Sequence, residues 1–567
     1  MAPRSVPFHF SGRDVDSKFS DRSKDVQVIR LDLREYEEDA ASLKFVSLTQ
    51  SCQSLDTKPS ARIPHKHKKS RLVSWDGPND PENPMNWSNG YKWWVTTVII
   101  IMTVNVTFAS SAGTVTVEAL SEQFRVPLEV SYLVTTTYML GYVFGPFIWG
   151  PGSEIIGRRP VYVITGILFT IVHLGQTLAN NIQTLLVTRF FAGFFAAAPL
   201  TNTGGAISDL FTSEQRGIAA SLFAAGVFLG PTLGPLVGGF ILGRGESWRW
   251  VFWVMMIFAG ACAVMTVIFV PETYAPVLLL RKAKRLRKAD PARNANLYAE
   301  YEKQDWSFYG VLKRTLFRPF HMLAVEPILV LVTMYISVVY GLLYALFEAI
   351  PVIFIFHRGF SIIQGGLIFI GVGIGTTLGA LLNALFSKKY RVLNKKWKSY
   401  PPPEERLTGA MVGGILLVFS TFWLGWTGQY TVIPWYVPAL STIPLGAGIS
   451  MIFMSFLSYL VDTYLGYSAS AFAVNTIIRS AVAAAFPLFT VQLFTNLQIN
   501  WAASVIGLVA LLFVPSPFLF YQYGAKIRKR SHFAPCIDLK IAPHVEAEER
   551  AANMGFKDVK VFPNDVE

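Results

Sequence analysis

Long apolar runs alternate with short polar ones along most of the chain. A hydrocarbon layer roughly 30 Å thick is crossed by about twenty apolar residues of helix. Runs of that length fall near 92–112, 130–150, 160–179, 182–208, 216–242 and 249–270, then near 322–347, 361–386, 408–427, 433–459, 468–493 and 501–523. The pattern predicts an all-α integral membrane protein of about twelve spans. The weakest run is 322–347, which Glu326 and Glu348 bracket. Between the two sets of six lies a stretch with Arg281, Lys282, Lys284, Arg285, Arg287 and Lys288, then Asp305, Lys313, Arg314 and Arg318, too polar for lipid. The expected units are a polar N-terminal tail (1–91), a six-helix bundle (92–270), a basic connector (271–321), a second six-helix bundle (322–523) and a C-terminal tail (524–567). Residues 1–89 lack the apolar core of a cleavable signal peptide, so the first helix is expected to direct insertion.

Composition agrees with lipid as the main solvent. Of 567 residues 52% are hydrophobic and 15% charged, and the mean hydropathy is +0.39, which does not describe a water-soluble surface. The net charge of +13 is spread through short segments rather than gathered in one basic domain, so nucleic acid is not an expected partner. Taken alternately, the loops are asymmetric. One side holds Arg158 and Arg159, the connector, Lys388, Lys389, Arg391, Lys395, Lys396 and Lys398, and finally Lys526, Arg528, Lys529 and Arg530. The other holds Glu118, Glu122, Arg125 and Glu129 and uncharged loops near Asn180 and Gln429. Cations mark the cytoplasmic side, which puts both termini in the cytosol of a multi-pass protein, with the plasma membrane as the expected location. The cluster His65, Lys66, His67, Lys68, Lys69 and Arg71 is then placed to touch anionic lipid. Asn86-Trp87-Ser88 has the form of a glycosylation sequon, but on the cytosolic side it should stay unmodified. Cys52, Cys262 and Cys536 are too scattered for a disulfide framework or a metal site.

The two halves share a grammar. Gly141 to Arg159 is glycine-rich and ends in a basic turn. Gly365 to Arg391, with Gly371, Gly373, Gly375 and Gly379 ahead of Lys388, repeats it in the second six. Such internal repeats are common in transporters. Within the first copy, Gly150, Glu154, Gly157, Arg158 and Arg159 form a tight turn with a carboxylate beside two guanidinium groups, which can pair in one conformation and part in another as a latch between halves.

Together with their neighbours these residues resemble the loop signature between helices two and three of the major facilitator superfamily. Other signatures follow in order: Arg189 and Gly193 with Asp209 in helix four; Gly226, Gly230, Pro231, Gly234, Pro235, Gly238 and Gly239 in helix five; Trp248-Arg249-Trp250 and Pro271-Glu272-Thr273-Tyr274 at the two ends of helix six. Trp75-Asp76-Gly77-Pro78 and Asn83-Pro84-Met85-Asn86-Trp87-Ser88 resemble the entry motif of fungal members of the drug:proton antiporter group. The resemblance spans residues 72 to 525. It implies the major facilitator fold, two six-helix bundles around a central cavity, and proton-coupled export of a small organic compound. It assigns Arg189 to proton coupling, although Ala192 stands where the motif often has Gln, and it assigns Gly226 to Gly239 to an antiporter seam that limits leak. On physical grounds the glycines and the two prolines of that stretch make a closely packed, bendable helix.

Ionisable groups inside spans cost about 2.5–3.5 kcal/mol on insertion scales and are therefore functional candidates. Besides Arg189 they are Glu348, a candidate proton or cation group, and Arg479, four residues after Asn475 and on the same helix face. Candidate substrate-cavity residues are Asn105, Tyr138, Tyr340, Tyr344, Phe453, Asn475 and Arg479, a mix of aromatic walls and polar handles suited to an amphipathic solute. The spans show no nucleophile with a base, no phosphate-binding Gly-Lys-Ser loop and no His-Glu metal pattern. Enzymatic, metal-dependent and nucleotide-driven chemistry are not expected, and the proton gradient is left as the energy source. The expected partners are a small-molecule substrate, protons and lipid around a monomer. Nutrient import (polyamine, sugar or organic acid) and solute sensing without transport are the competing readings.

Overall fold

The computed structural model describes residues 72–543, apart from 295, 304–306, 308, 311–312 and 398–399, together with residue 545. Cys52, Asp305, Lys398 and the basic cluster His65 to Arg71 lie outside the described residues.

The first six long helices are α1 (Asn89–Ala112), α2 (Leu128–Ile155), α3 (Arg158–Thr177), α4 (Ile182–Leu210), α5 (Ser213–Gly243) and α6 (Arg249–Phe269). The second six are α7 (Pro327–Ile350), α8 (Ile362–Lys396), α9 (Thr408–Gln429), α10 (Tyr436–Tyr464), α11 (Ser468–Asn496) and α12 (Gln498–Phe513). Eleven spans among the described residues are long and apolar enough to cross a membrane. The remaining long helix, α2, has 28 residues and runs between the first and second of them.

Local chemistry sets the ends. Ser88 caps α1 by accepting from the Tyr91 amide, Asn181 caps α4 through Thr184, and Ser361 with Gln364 forms a reciprocal capping box at α8. α8 continues to Lys396, past the apolar run that ends near 386, and at two other boundaries a break interrupts the hydropathy pattern. The seventh apolar run is split, because Glu326, extended ahead of Pro327, separates a short helix Arg318–Val325 from α7. The twelfth run breaks at Val514, and a separate helix Pro515–Arg528 follows. Proline explains both breaks, since it donates no amide and crowds the residue before it.

Ile171, Ile257, Val264, Ile268, Phe419 and Leu512 are exposed on the outer surface, whereas Arg189, Asn475, Ser110 and Thr103 are buried. Apolar outside and polar inside is the inversion expected when the solvent is hydrocarbon.

The bundles repeat one another. In the first, α1 packs on α5, α2 on α4 and α3 on α6; in the second, α7 packs on α11, α8 on α10 and α9 on α12. The two most extensive junctions between the halves, α5 against α8 and α11 against α2, are also related by a shift of six helices. The glycine grammar serves these contacts. A Cβ at Gly145 would meet Ala197 Cβ and, at 2.7 Å, the Phe194 carbonyl, so α2 approaches α4 nearly to backbone distance. Gly379 plays the same part between α8 and α10, where a Cβ would lie 2.5 Å from the Ala447 carbonyl.

The connector is folded. Its helix Ala275–Ala289 packs Val277 and Ala283 against Val73, Ala299 and Tyr301. The Trp75 to Ser88 motif clamps onto this helix. The Lys282 ammonium pairs with Asp76 at 2.9 Å and Asp80 at 3.1 Å, and Arg285 pairs with Glu82. Asn86 donates its side-chain amide to the carbonyls of Pro78 and Asp80, so the sequon asparagine is a structural part of the clamp. The backbone amides of Asp76 and Glu82, ahead of Lys282, hold the Asp80 carboxyl down to about 2. A depressed carboxyl stabilises the folded clamp above its unfolded value of about 3.9 and loses that contribution as pH falls through its folded value. Pepsin cleavage within 72–88 should therefore stay low at pH 4 and rise as pH approaches 2. Lys282→Ala should expose the same bonds to proteases at neutral pH, and protection equal to wild type would show that the clamp does not depend on this lysine.

Candidate functional site

Where the halves meet, a closed layer of aromatic rings surrounds two arginines. From the first half come Tyr138 and Tyr142 of α2, Arg189 of α4 and Phe228 of α5; from the second come Tyr340 and Tyr344 of α7, Phe453 of α10 and Arg479 of α11, and all are buried. Spacings of four residues in Tyr138/Tyr142 and Tyr340/Tyr344 place each pair on one helix face. Both pairs stack edge to face with centroids 5.2 Å apart. The halves touch through Phe228 against Phe453 at 4.9 Å, through Ser110 bonded to the Tyr344 hydroxyl at 2.9 Å, and through Thr136, which donates to the Ala484 carbonyl at 3.0 Å.

Arg189 has 0% exposure and ties three helices together. Its Nε donates to the Val134 carbonyl of α2 at 3.1 Å and its Nη1 to the Ala109 carbonyl of α1 at 2.9 Å, while the guanidinium lies over the Tyr138 ring at 4.7 Å. Gly113 makes room, since a Cβ there would strike Arg189 Nη2. No carboxylate pairs with Arg189 among the described residues, and its Nη2 is without a hydrogen-bond partner. Tyr138 and Tyr142 both donate to the Val106 carbonyl, at 2.7 and 3.0 Å.

The other candidates lie in or around this layer. Arg479 sits within 5.0 Å of the Tyr340 ring centre and 4.7 Å of that of Phe453. Asn475, one turn away, turns into its own half and donates to Thr333 Oγ1 at 3.4 Å. Glu348 is buried on α7, one turn beyond Tyr344, and its Oε1 has no hydrogen-bond partner. Asn105 is not brought to the layer: it lines a narrow cleft inside the first half with Phe169, Phe195 and Cys262.

At the basic end of the bundle the expected latch has a different pairing. No ion pair forms between Glu154 and Arg158 or Arg159 among the described residues. Arg158 reaches Asp209 at the end of α4, with Nε to Oδ2 at 3.4 Å, and donates to Ser153 Oγ at 2.5 Å. Arg159 donates to the Val267 carbonyl at 3.1 Å. The tie joins α3 to α4 inside one half. Gly157, at φ 102°, occupies backbone space that suits glycine, and a Cβ there would strike the Glu272 carboxylate. Glu272, from the Pro-Glu-Thr-Tyr motif after α6, accepts the amides of Arg158 at 2.9 Å, Thr273 at 3.1 Å and Tyr274 at 3.0 Å. Gly150 has open space around it, and its carbonyl accepts from Ser153.

The second half carries a counterpart that sequence reasoning missed. Arg406 pairs with Asp462 at the end of α10 at 2.9 Å, and Asn383 accepts from Ser455 as Asn202 accepts from Ser153. The available signal was the seven-residue interval in Asn202/Asp209 and Ser455/Asp462, two turns on one helix face.

The helix-five glycines face two ways. Gly226, Gly230, Gly234 and Gly238 lie against α1, where Ser111 also donates to the Pro231 carbonyl at 2.8 Å. Gly239 faces the other half, with its Cβ position 3.1 Å from the Ile362 carbonyl, and the Pro235 carbonyl lies 2.9 Å from the Cβ position of Gly366. The stretch is thus packed closely both within its own half and against the other half.

Two repeated six-helix bundles closing on a buried layer of aromatic rings and arginines define a membrane transporter. The Major Facilitator Superfamily model matches residues 97–487, and the chain belongs to that family. It is 43% identical over 466 residues to an MFS-type efflux pump of Trichophyton rubrum, covering 82% of this chain and 77% of that protein. It is 41% identical over 466 residues to a citrinin biosynthesis cluster MFS transporter of Monascus ruber (82% and 92% covered) and 39% identical over 483 residues to a major facilitator superfamily multidrug transporter of Aspergillus fumigatus (83% and 79%). The fold is that of a proton:xylose symporter bound to 6-bromo-6-deoxy-D-glucose, with a TM-score of 0.57 at 18% identity over 77% of this chain and 96% of that one.

Proposed function

We propose that the protein exports a small amphipathic organic compound against its gradient, driven by proton entry, as its two halves rock about the central layer. The moving units are residues 92–270 and 322–523, joined by the connector 271–321, with both tails cytosolic, in the plasma membrane and as a monomer. The observation that carries this reading is the buried layer itself, where aromatic walls and two arginines from opposite halves close on one another at the junction that alternating access must open. Glu348 is the buried carboxylate available to bind and release the transported proton, and Arg189 sets the arrangement of α1, α2 and α4 beside the substrate. The Arg158–Asp209 and Arg406–Asp462 ties brace the cytosolic ends of the two halves during the motion. Relatives named for efflux and multidrug transport support export over nutrient import.

The test uses cells that express the chain and are loaded with fluorescent amphipathic dyes. Expression should lower dye accumulation several-fold, and a protonophore should restore it. Higher accumulation in expressing cells would mean import, and insensitivity to the protonophore would remove the proton drive.

A further inference from the structure

We propose, on the export reading above, that the exported compound is an aromatic weak acid carried as its anion, and that the Arg479 guanidinium holds the acidic group. Arg479 comes from the middle of α11 and is 5% exposed. It rests on the faces of Tyr340 and Phe453, its Nε has no hydrogen-bond partner, and it joins no ion pair among the described residues. The buried arginine outside this layer, Arg528, is matched by Glu404 and Asp538, and the half-buried Arg158 and Arg406 are matched by Asp209 and Asp462. The layer contains a second full positive charge in Arg189, also without a carboxylate, and Glu348 pairs with neither.

Two buried cations without carboxylate partners are costly, and aromatic faces offset only part of that cost. An anion arriving from solution supplies the missing charge. The two arginines are not equivalent as its dock. Arg189 has committed Nε and Nη1 to backbone carbonyls. Arg479 keeps its fork free of carboxylates, and a planar fork matches a carboxylate or a similar flat oxyanion through two parallel bonds. The rings beside it, Tyr340 and Phe453, and Phe228 edge-on to Phe453, offer faces and edges to a flat aromatic body. An organic cation of the same size would meet two like charges in the same space and lose the fork.

Fluorescein and rhodamine 6G test this directly, because they share a flat ring system and differ in charge at pH 7.5. The full chain in proteoliposomes, given a proton gradient in the driving direction, should move fluorescein in preference to rhodamine 6G. Arg479→Gln should lower the fluorescein-to-rhodamine ratio of kcat/KM by at least about thirty-fold, the effect of removing one partner of a buried charge pair. Arg479→Lys should restore part of it. Fluorescein should also raise the thermal unfolding temperature of the wild-type protein, and chloride at the same concentration should not. If wild-type vesicles pump rhodamine 6G in preference to fluorescein, or if the ratio is unchanged in Arg479→Gln, the anion inference is wrong while export stands. Equal stabilisation by chloride would make Arg479 an inorganic-anion site and overturn it as well. Vesicles that pump neither dye overturn the export reading and this inference with it. Should Arg479→Gln fail to fold, the wild-type comparison of the two dyes decides alone.

Discussion

An imposed proton gradient will drive substrate through Arg189→Ala at least about a hundred-fold more slowly than through wild type, because two charge-assisted bonds of about 1.5–3 kcal/mol each disappear. The Val134 and Ala109 carbonyls lose their donor, Tyr138 loses the cation on its face, and the joint among α1, α2 and α4 opens. Arg189→Lys should recover little, since one ammonium cannot reach carbonyls on two helices and also lie flat on a ring. Two measurements in proteoliposomes separate coupling from scaffolding. If Arg189 couples, exchange of substrate across the membrane without a gradient persists while gradient-driven flux is lost. If both vanish in a protein that still elutes as a folded species, Arg189 holds the site together and the proton is handled elsewhere. Gradient-driven flux equal to wild type would remove Arg189 from the mechanism.

Gly230→Val should abolish transport and lower the unfolding temperature of the purified protein. A Cβ at this position would collide with Thr107 Oγ1 and stand 2.6 Å from the Val104 carbonyl and 2.8 Å from the Phe108 amide, so relief requires moving the α1 backbone. Overpacking of this kind costs about 1–3 kcal/mol even where side chains can yield, and here backbone must yield. Gly217→Ala, on the same helix with open space at its Cβ position, is the matched control. It should be neutral, or stabilising by up to about 1 kcal/mol through helix propensity. Transport by Gly230→Val at the wild-type rate would show that α1 and α5 separate more easily than their packing implies.

Hydropathy located the helices within about five residues except where proline intervened and at α8, whose helix continues to Lys396 beyond the apolar run that ends near 386. The polar motifs were legible as motifs, but their partners were not. Glu154 stands close to Arg158 in the chain, separated by Ile155, Ile156 and Gly157, and the guanidinium nevertheless turns to Asp209, because α4 ends beside α3 and offers its carboxylate across the gap that Gly205 leaves open. Asn105 is a polar residue in the first span like Ser110, yet it faces α3 and α6 while Ser110 faces the other half. A period of 3.6 residues says which side chains share a face, but not which neighbour that face meets.

The amino-acid sequence alone determined that the chain lives in lipid, because apolar length and cation asymmetry act locally, residue by residue, whatever the packing. It also determined the two-fold repeat of the spans and the glycines that let helices approach. Tertiary structure decided which charges are satisfied. Arg528 and Arg479 carry the same group, and only packing brings Glu404 and Asp538 to the first while it leaves the second among aromatic rings. The physical reason is that desolvation and pairing depend on contacts between residues far apart in the chain, and no local pattern encodes them.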